Sequence, residues 1–287
     1  MNNIQPVIAI IGAGVMGEAI ISGLLNKKLT IPDHIRASDP LADRRNELHE
    51  HYGVIASPDN QSAVQSSNVV ILSVKPQKLE RALAGLTDQI PPEALVLSIV
   101  AGASIEKISE FLNHPTVVRA MPNTPAQIGE GITVWTTSPS VSPAQVDLAR
   151  LILSALGQEI FMEEEYYLDM ATALSGTGPA YVFLFMEAMI DAGVHLGFPR
   201  RISEQLVAQT LRGSLDYYTY RKTHPANLRN EVTSPGGTSA AALYYLEKAG
   251  VRTAISRAIW AAYERSQELG RGKNSQPPEN KNHDTNG

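Results

Sequence analysis

The chain predicts a doubly wound α/β sheet in its first half and an all-α domain in its second. Three observations carry this. Short, continuous apolar runs alternate with helix-periodic segments up to about residue 162. A glycine-rich turn follows the first of those runs. Beyond residue 162 the strand-like runs stop, and Ala, Leu, Met and Phe recur at helical spacing. Strands that are apolar throughout belong to a sheet covered on both faces, and intervening helices favour parallel connections.

Taken in order, 7–11 reads as a strand, 16–27 as a helix, 35–38 as a strand and 42–51 as a charged amphipathic helix. Strands follow at 69–73, 95–100, 116–119, 131–136 and 159–162. Helices follow at 77–86, 104–112 and 143–156. In the second half, 163–197, 202–220 and 240–270 carry helical periodicity. Those helices are too apolar to be solvated on every side, which points to helix association between subunits. The expected organisation is a dinucleotide-type domain at 1–162, an all-α domain at 163–271 and a polar, Pro-containing disordered tail at 272–287.

Composition narrows the function classes. The 287 residues suit about two domains of roughly 150 each. With no cysteine there is no disulfide, no thiolate nucleophile and no Cys-ligated zinc or iron–sulfur cluster. Lys and Arg total 24 against 29 Asp and Glu, a net charge of −5. That balance gives no global attraction to nucleic acid or an anionic membrane. The apolar run at 7–11 is too short for a signal-peptide core and no basic region precedes it. The apolar stretch 181–186 falls short of the ~20 residues a span needs. The expectation is a cytoplasmic protein without a membrane or nucleic-acid partner.

Gly12-Ala13-Gly14-Val15-Met16-Gly17 follows a strand and opens a helix. Gly12 allows a tight turn, Gly14 lets the backbone approach a pyrophosphate, and Gly17 lets helix and strand pack closely. The helix N-terminus adds N–H donors and a positive dipole. In this βαβ context the motif points to a Rossmann-type dinucleotide site. Asp39 lies 22 positions after Gly17, the spacing of an acid that bonds a ribose 2′-hydroxyl. Ser38 with Arg44 and Arg45 offers the alternative of a 2′-phosphate. A third reading has Asp39 merely capping the helix from Ala42.

Other groupings carry less. Glu187, Asp191 and His195 recur at i, i+4 and i+8, but no second carboxylate–histidine motif completes a metal site. A polar stripe or interhelical hydrogen bonds is the better reading, and no metal is expected. The tyrosines at 217, 218, 220, 244 and 245 lack a surrounding basic patch and read as helix packing.

Four segments in sequence carry a family likeness. They are Ser73-Val74-Lys75-Pro76, Val118-Arg119-Ala120-Met121-Pro122-Asn123-Thr124-Pro125, Leu174-Ser175-Gly176-Thr177-Gly178-Pro179-Ala180-Tyr181, and Val232-Thr233-Ser234-Pro235-Gly236-Gly237-Thr238-Ser239. With the glycine motif, they make residues 6–270 resemble the pyrroline-5-carboxylate reductases. The resemblance implies a Rossmann domain followed by a helical dimerisation domain, and homodimers that assemble into larger rings such as a decamer. It implies reduction of 1-pyrroline-5-carboxylate to L-proline with NADPH or NADH, the last step of proline biosynthesis.

By that resemblance the cofactor meets residues 12–17, Ser38, Asn60 at the start of a helix, Ser73, Val74, Lys75 and Pro76, and the strand end Ile99, Val100 and Ala101. The substrate lies at Ser234, Gly236, Gly237, Thr238 and Ser239, with Glu165 nearby. Many relatives have two threonines after the paired glycines, whereas here Thr238 is followed by Ser239. A hydroxyl is kept, so the chemistry is expected to survive. Ser239, or else Thr238, is the expected hydrogen-bond partner of the ring nitrogen. The glycine turn also has a plainer reading, a helix entry with Thr238 or Ser239 as cap. A β-hydroxyacid dehydrogenase is the alternative enzyme, but such proteins usually carry a lysine soon after their glycine-rich motif, and 176–193 contains none. A non-catalytic dinucleotide-binding scaffold leaves the 234–239 turn unexplained.

Overall fold

Strands form where the apolar runs lie. β1 (Ile8–Ile11), β2 (Ile35–Ser38), β3 (Ile55–Ser57), β4 (Val69–Leu72), β5 (Leu95–Ser98), β6 (Val117–Met121), β7 (Gly131–Thr137) and β8 (Gly157–Phe161) make one eight-stranded sheet. Its order is β3-β2-β1-β4-β5-β6-β7-β8. This computed structural model describes residues 5–271. The expected tail at 272–287 lies outside the described residues.

Helices cover both faces of the sheet, so the side chains of β1, β4 and β5 are buried whichever way they point. Ile8 and Ile10 share one face with Ile20, Ile21 and Leu24 of α1 (Val15–Asn26). Leu48 of α2 (Ala42–Tyr52) joins that layer. Ala9 and Ile11 share the other face with Ala63 and Val64 of α3 (Asn60–Val64) and Leu79 and Leu83 of α4 (Leu79–Leu83). Ile108 and Leu112 of α5 (Ile105–Leu112) complete that second layer. On the first face lie Ala149, Ile152 and Leu153 of α6 (Pro143–Ser154). Each large apolar side chain so buried contributes about 1.5–3 kcal/mol.

One expectation is corrected. The alternation of strands and helices pointed to parallel pairing throughout, and β1 to β6 do run parallel. β7, however, runs antiparallel to β6, and β8 lies parallel to β7. Only a 3₁₀ turn at Thr124–Ile128 joins β6 to β7. A parallel crossover takes a dozen or more residues, so the chain reverses instead.

The chain divides into two compact units, residues up to Gly176 together with those from Ala262 on, and Thr177–Ala261. The strands end at Phe161, next to the boundary read at 162, but packing continues past it. α7 (Tyr167–Ala171) and a wide π-type turn at Thr172–Gly176 stay with the sheet, where a Cβ at Gly176 would meet Met121 Cε at 2.7 Å. The second unit holds α8 (Gly178–His195), α9 (Arg200–Arg221), α10 (Pro225–Glu231), α11 (Thr238–Lys248) and the first half of α12 (Val251–Arg271). None of α8's residues is buried, and Val182, Phe183, Leu184 and Phe185 are exposed. By length and composition the helical run Tyr167–His195 is apolar enough to cross a membrane, which the short uninterrupted stretch 181–186 did not suggest.

Candidate functional site

The carboxyl ends of β1, β2, β4 and β5 meet along one edge of the sheet. Gly12 N–H donates to the Ser38 carbonyl at 2.8 Å, Ser73 N–H to the Ile11 carbonyl at 2.9 Å, and Ile99 N–H to the Leu72 carbonyl at 3.0 Å. Ser38 and Ser73 therefore arrive beside the glycine turn, and Ile99 lies one strand further on, beside Leu72. Gly12 has φ +87°, and a Cβ there would meet the Ser73 carbonyl oxygen at 2.9 Å and Val74 Cγ1 at 2.6 Å. At Gly17 a Cβ would meet the Gly12 carbonyl oxygen at 2.6 Å. Gly14 is different, because among the described residues nothing lies within 4 Å of a Cβ built there. Packing does not demand a glycine at 14, whereas a ligand resting on the backbone does. Gly14 is the N-cap of α1 and supplies no side-chain hydrogen bond. The first-turn N–H groups and the helix dipole are thus left for an anion. Ala13 is buried, Met16 half-buried and Val15 exposed.

Beside this turn the Ser73 hydroxyl is buried without a hydrogen-bond partner. An orphaned buried hydroxyl and an open glycine turn both fit a bound dinucleotide phosphate and ribose. Lys75 is exposed, and Pro76 opens a 3₁₀ turn. Val100 is buried, while Ile99 and Ala101 are half-buried in the loop after β5.

At the end of β2, Ser38 Oγ donates to Asn60 Oδ1 at 2.5 Å, and Asn60 Nδ2 donates to the Ala82 carbonyl at 2.9 Å. Asp39 is buried and its Oδ1 accepts from Leu41 N–H at 3.0 Å. That bond closes a turn ahead of α2, whose N-cap Leu41 has no side-chain cap. Arg44 reaches back to the glycine turn, with Nε on the Ala13 carbonyl at 2.8 Å. Its other nitrogens pair with Glu18 and, at 2.6 Å, with Glu47. Arg45 donates to the Asp39 carbonyl at 2.9 Å. Tyr52 donates to Glu18 at 2.9 Å. Burial alone would raise the Glu18 carboxyl, but hydrogen bonds from Arg44 and Tyr52 and the Arg44 charge hold it below its ordinary value. Burial and then the Glu18 carboxylate push the Tyr52 phenol up.

A second cluster sits where β6, α5 and α7 meet. Arg119 is buried and donates to Glu165 Oε1 and to Asp169 Oδ1, each at 2.9 Å. Glu165 Oε1 also accepts Ile105 N–H at 2.9 Å, and Ser266 of α12 donates to Asp169 Oδ1 at 2.9 Å. Glu165, expected near substrate, therefore holds the start of α5. Two of the family-like segments touch here, with Asn123 Nδ2 donating to the Ser175 carbonyl at 3.2 Å.

In the helical unit, the turn before α11 has Gly236 at φ +72°, with nothing among the described residues within 4 Å of a Cβ built there. A Cβ at Gly237 would meet Ser234 Oγ at 2.6 Å. Gly237 is the N-cap and gives no side-chain bond. Thr238 and Ser239 are the first residues of the helix itself, so neither plays the capping part that the plainer reading gave it. Gly236 and Thr238 are exposed and Ser239 is half-buried. On α8, Asp191 accepts from Arg200 of α9 at 2.8 Å, an interhelical contact of the kind expected of that polar stripe.

A dinucleotide-binding sheet followed by an apolar helical unit defines the class, a nicotinamide-dependent oxidoreductase that works as a self-associating chain. Residues 7–102 match the family model described as NADP oxidoreductase coenzyme F420-dependent, and 165–269 match pyrroline-5-carboxylate reductase dimerisation. The pyrroline-5-carboxylate reductase of Synechocystis is 44% identical over 92% of this chain and 98% of its own, and that of Pseudomonas aeruginosa 39% over 92% and 97%. Among solved structures, the Plasmodium falciparum pyrroline carboxylate reductase with NADP bound superposes with a TM-score of 0.86. It is 29% identical, with 93% of this chain and 98% of that one covered. The Coxiella burnetii enzyme gives 0.82 at 32% identity, with 93% and 100% covered. The chain belongs to the pyrroline-5-carboxylate reductase family, NAD(P)H-dependent enzymes that reduce 1-pyrroline-5-carboxylate to L-proline.

Proposed function

We propose that two glycine turns divide this reaction between them, one for the cofactor and one for the substrate. The observation that carries the reading is that Gly14 and Gly237 each head a helix with no side-chain cap. Each helix N-terminus is then free to take an anion, the pyrophosphate at α1 and the substrate carboxylate at α11. The nicotinamide, when bound, supplies the hydride for the ring C=N carbon. Gly12 to Gly17 hold the phosphates, Ser38, Asp39 and Asn60 the ribose end, and Ser73 to Pro76 with Ile99, Val100 and Ala101 the nicotinamide side. Gly236 and Gly237 orient the carboxylate beside Ser234. The Ser239 hydroxyl, rather than that of Thr238, donates to the ring nitrogen as that atom gains electron density. Most of the acceleration is orientation of two bound reactants.

Residues 163–271 serve as dimerisation and substrate domain, with a homodimer as the minimal unit and the cytoplasm as its compartment. The ribose end carries both a buried acid and two engaged arginines, so cofactor choice turns on Asp39. Steady-state oxidation of NADPH and NADH, with and without pyrroline-5-carboxylate, tests the whole reading. Turnover that does not depend on the imine overturns it. Asp39→Ser should shift the kcat/KM ratio toward NADPH by removing repulsion of a 2′-phosphate, and an unchanged ratio would confine Asp39 to its turn.

A further inference from the structure

We infer that Arg119 is a positioning residue for the cofactor, holding the loop at 99–105 through a relay that ends on the last helix. The relay lies wholly within the sheet unit. One guanidinium nitrogen donates to Glu165 Oε1, which in turn accepts Ile105 N–H where that loop enters α5. The other donates to Asp169 Oδ1, which also accepts the Ser266 hydroxyl of α12. All four distances are 2.9 Å. α12 also lies against the loop directly. A Cβ at Gly102 would meet Gly270 N and Leu269 Cβ, both at 2.9 Å, so only glycine admits the approach. The loop is thus fixed at Gly102 by close packing and at Ile105 by a charge-assisted bond. Between Leu72 and these fixed points stand Ile99, Val100 and Ala101.

The chemistry favours this role over a general structural one. A buried arginine is costly unless its donors are matched, and this one is matched to two carboxylates that each take a further donor from a different element. Such a network has one satisfied geometry, so it holds the loop in one place. A displacement of about 1 Å at a reacting centre is enough to cost about a hundredfold in rate. The inference rests on the proposed contact between residues 99–101 and the nicotinamide.

The test uses the full-length enzyme well below its melting temperature. Arg119→Gln should weaken NADPH binding, read by nicotinamide fluorescence, and lower kcat/KM for NADPH about ten- to hundredfold. The KM for pyrroline-5-carboxylate and the oligomeric state should stay near the parent's. Arg119→Lys, which keeps a charge for one carboxylate, should recover part of the loss. Asp169→Asn and Ser266→Ala should show the same NADPH-specific defect in smaller degree, and they decide the matter if Arg119→Gln does not fold. A parent-like NADPH Kd and kcat/KM in these variants, or an equal loss for both substrates, overturns the inference. Ala101→Leu separates the two layers. If Ala101→Leu leaves NADPH binding unchanged, the loop does not meet the cofactor and the underlying reading fails. If it weakens binding while the relay variants do not, the relay alone is refuted.

Discussion

A methyl group added at Gly12 and one added at Gly14 should have opposite signatures. At Gly12 it meets the Ser73 carbonyl at a backbone φ of +87°, so Gly12→Ala should cost about 1–3 kcal/mol of stability as well as cofactor affinity. At Gly14 it meets no atom of the described residues, so Gly14→Ala should melt with the parent yet bind NADPH poorly. Thermal melts and nucleotide titrations on the two variants check this. Ser239→Ala separates chemistry from stability in the same way. Ser239 caps nothing, so its loss should leave melting near the parent while lowering kcat about ten- to hundredfold, as expected for one bond made mainly in the transition state. The glycine residues were legible because a ligand imposes their spacing on contiguous sequence. Glu18, Arg44 and Tyr52 were not legible as a unit, since their contacts span 26 and 34 positions and depend on how α1 meets α2. Arg119 did leave a signal, a lone charge inside the apolar run Val117–Met121, the mark of a buried and paired group.

Between elements, the Arg44 contact ties α2 to the glycine turn, and its strength depends on pH. The Glu18 carboxyl is held below its ordinary 4.5, so its contribution to stability is complete above that value. It is lost as pH falls through the lower folded-state value. Glu18→Gln should therefore lower the melting temperature at neutral pH, with the gap to the parent closing as pH drops below about 4. A gap that stays constant with pH would mean the pair contributes nothing through its charge. Elements with strong periodicity were read to within a few residues. β3 was missed because its three residues lie at the sheet edge with Ile55 exposed, so no apolar run marks it. α10 was missed because PANLRNE buries nothing, and its start is set by Pro225 and the His224 side chain accepting Ala226 N–H. The helix expected at 77–86 is shorter, opened by the 3₁₀ turn at Pro76 and closed before Gly85, which has φ +82°. The reversal at β7 came from the length of one connection rather than from the strand's own residues.

For the molecule as a whole, the exposed apolar side chains of α8 fall within the stretch that matches the dimerisation family, and the excess of apolar helix over available core was already visible in the sequence. Phe183→Glu combined with Leu184→Glu should yield a monomer by light scattering at micromolar concentration. Each side chain is worth about 1.5–3 kcal/mol, and a twofold interface counts each change twice. An unchanged dimer would place the interface on another face. The division into units was not readable, because apolar periodicity is the same on either side of residue 176 and does not say where the last helix returns. That return has a consequence for biosynthesis. The sheet unit is interrupted after Gly176 and resumes at Ala262, so the ribosome delivers its closing piece last. At about 5–20 residues per second, the segment between takes roughly 4–17 s to emerge. For that interval the nascent sheet stands with Asp169 lacking its serine and Gly102 lacking its neighbours, so its last contacts close only after the whole helical unit has been made.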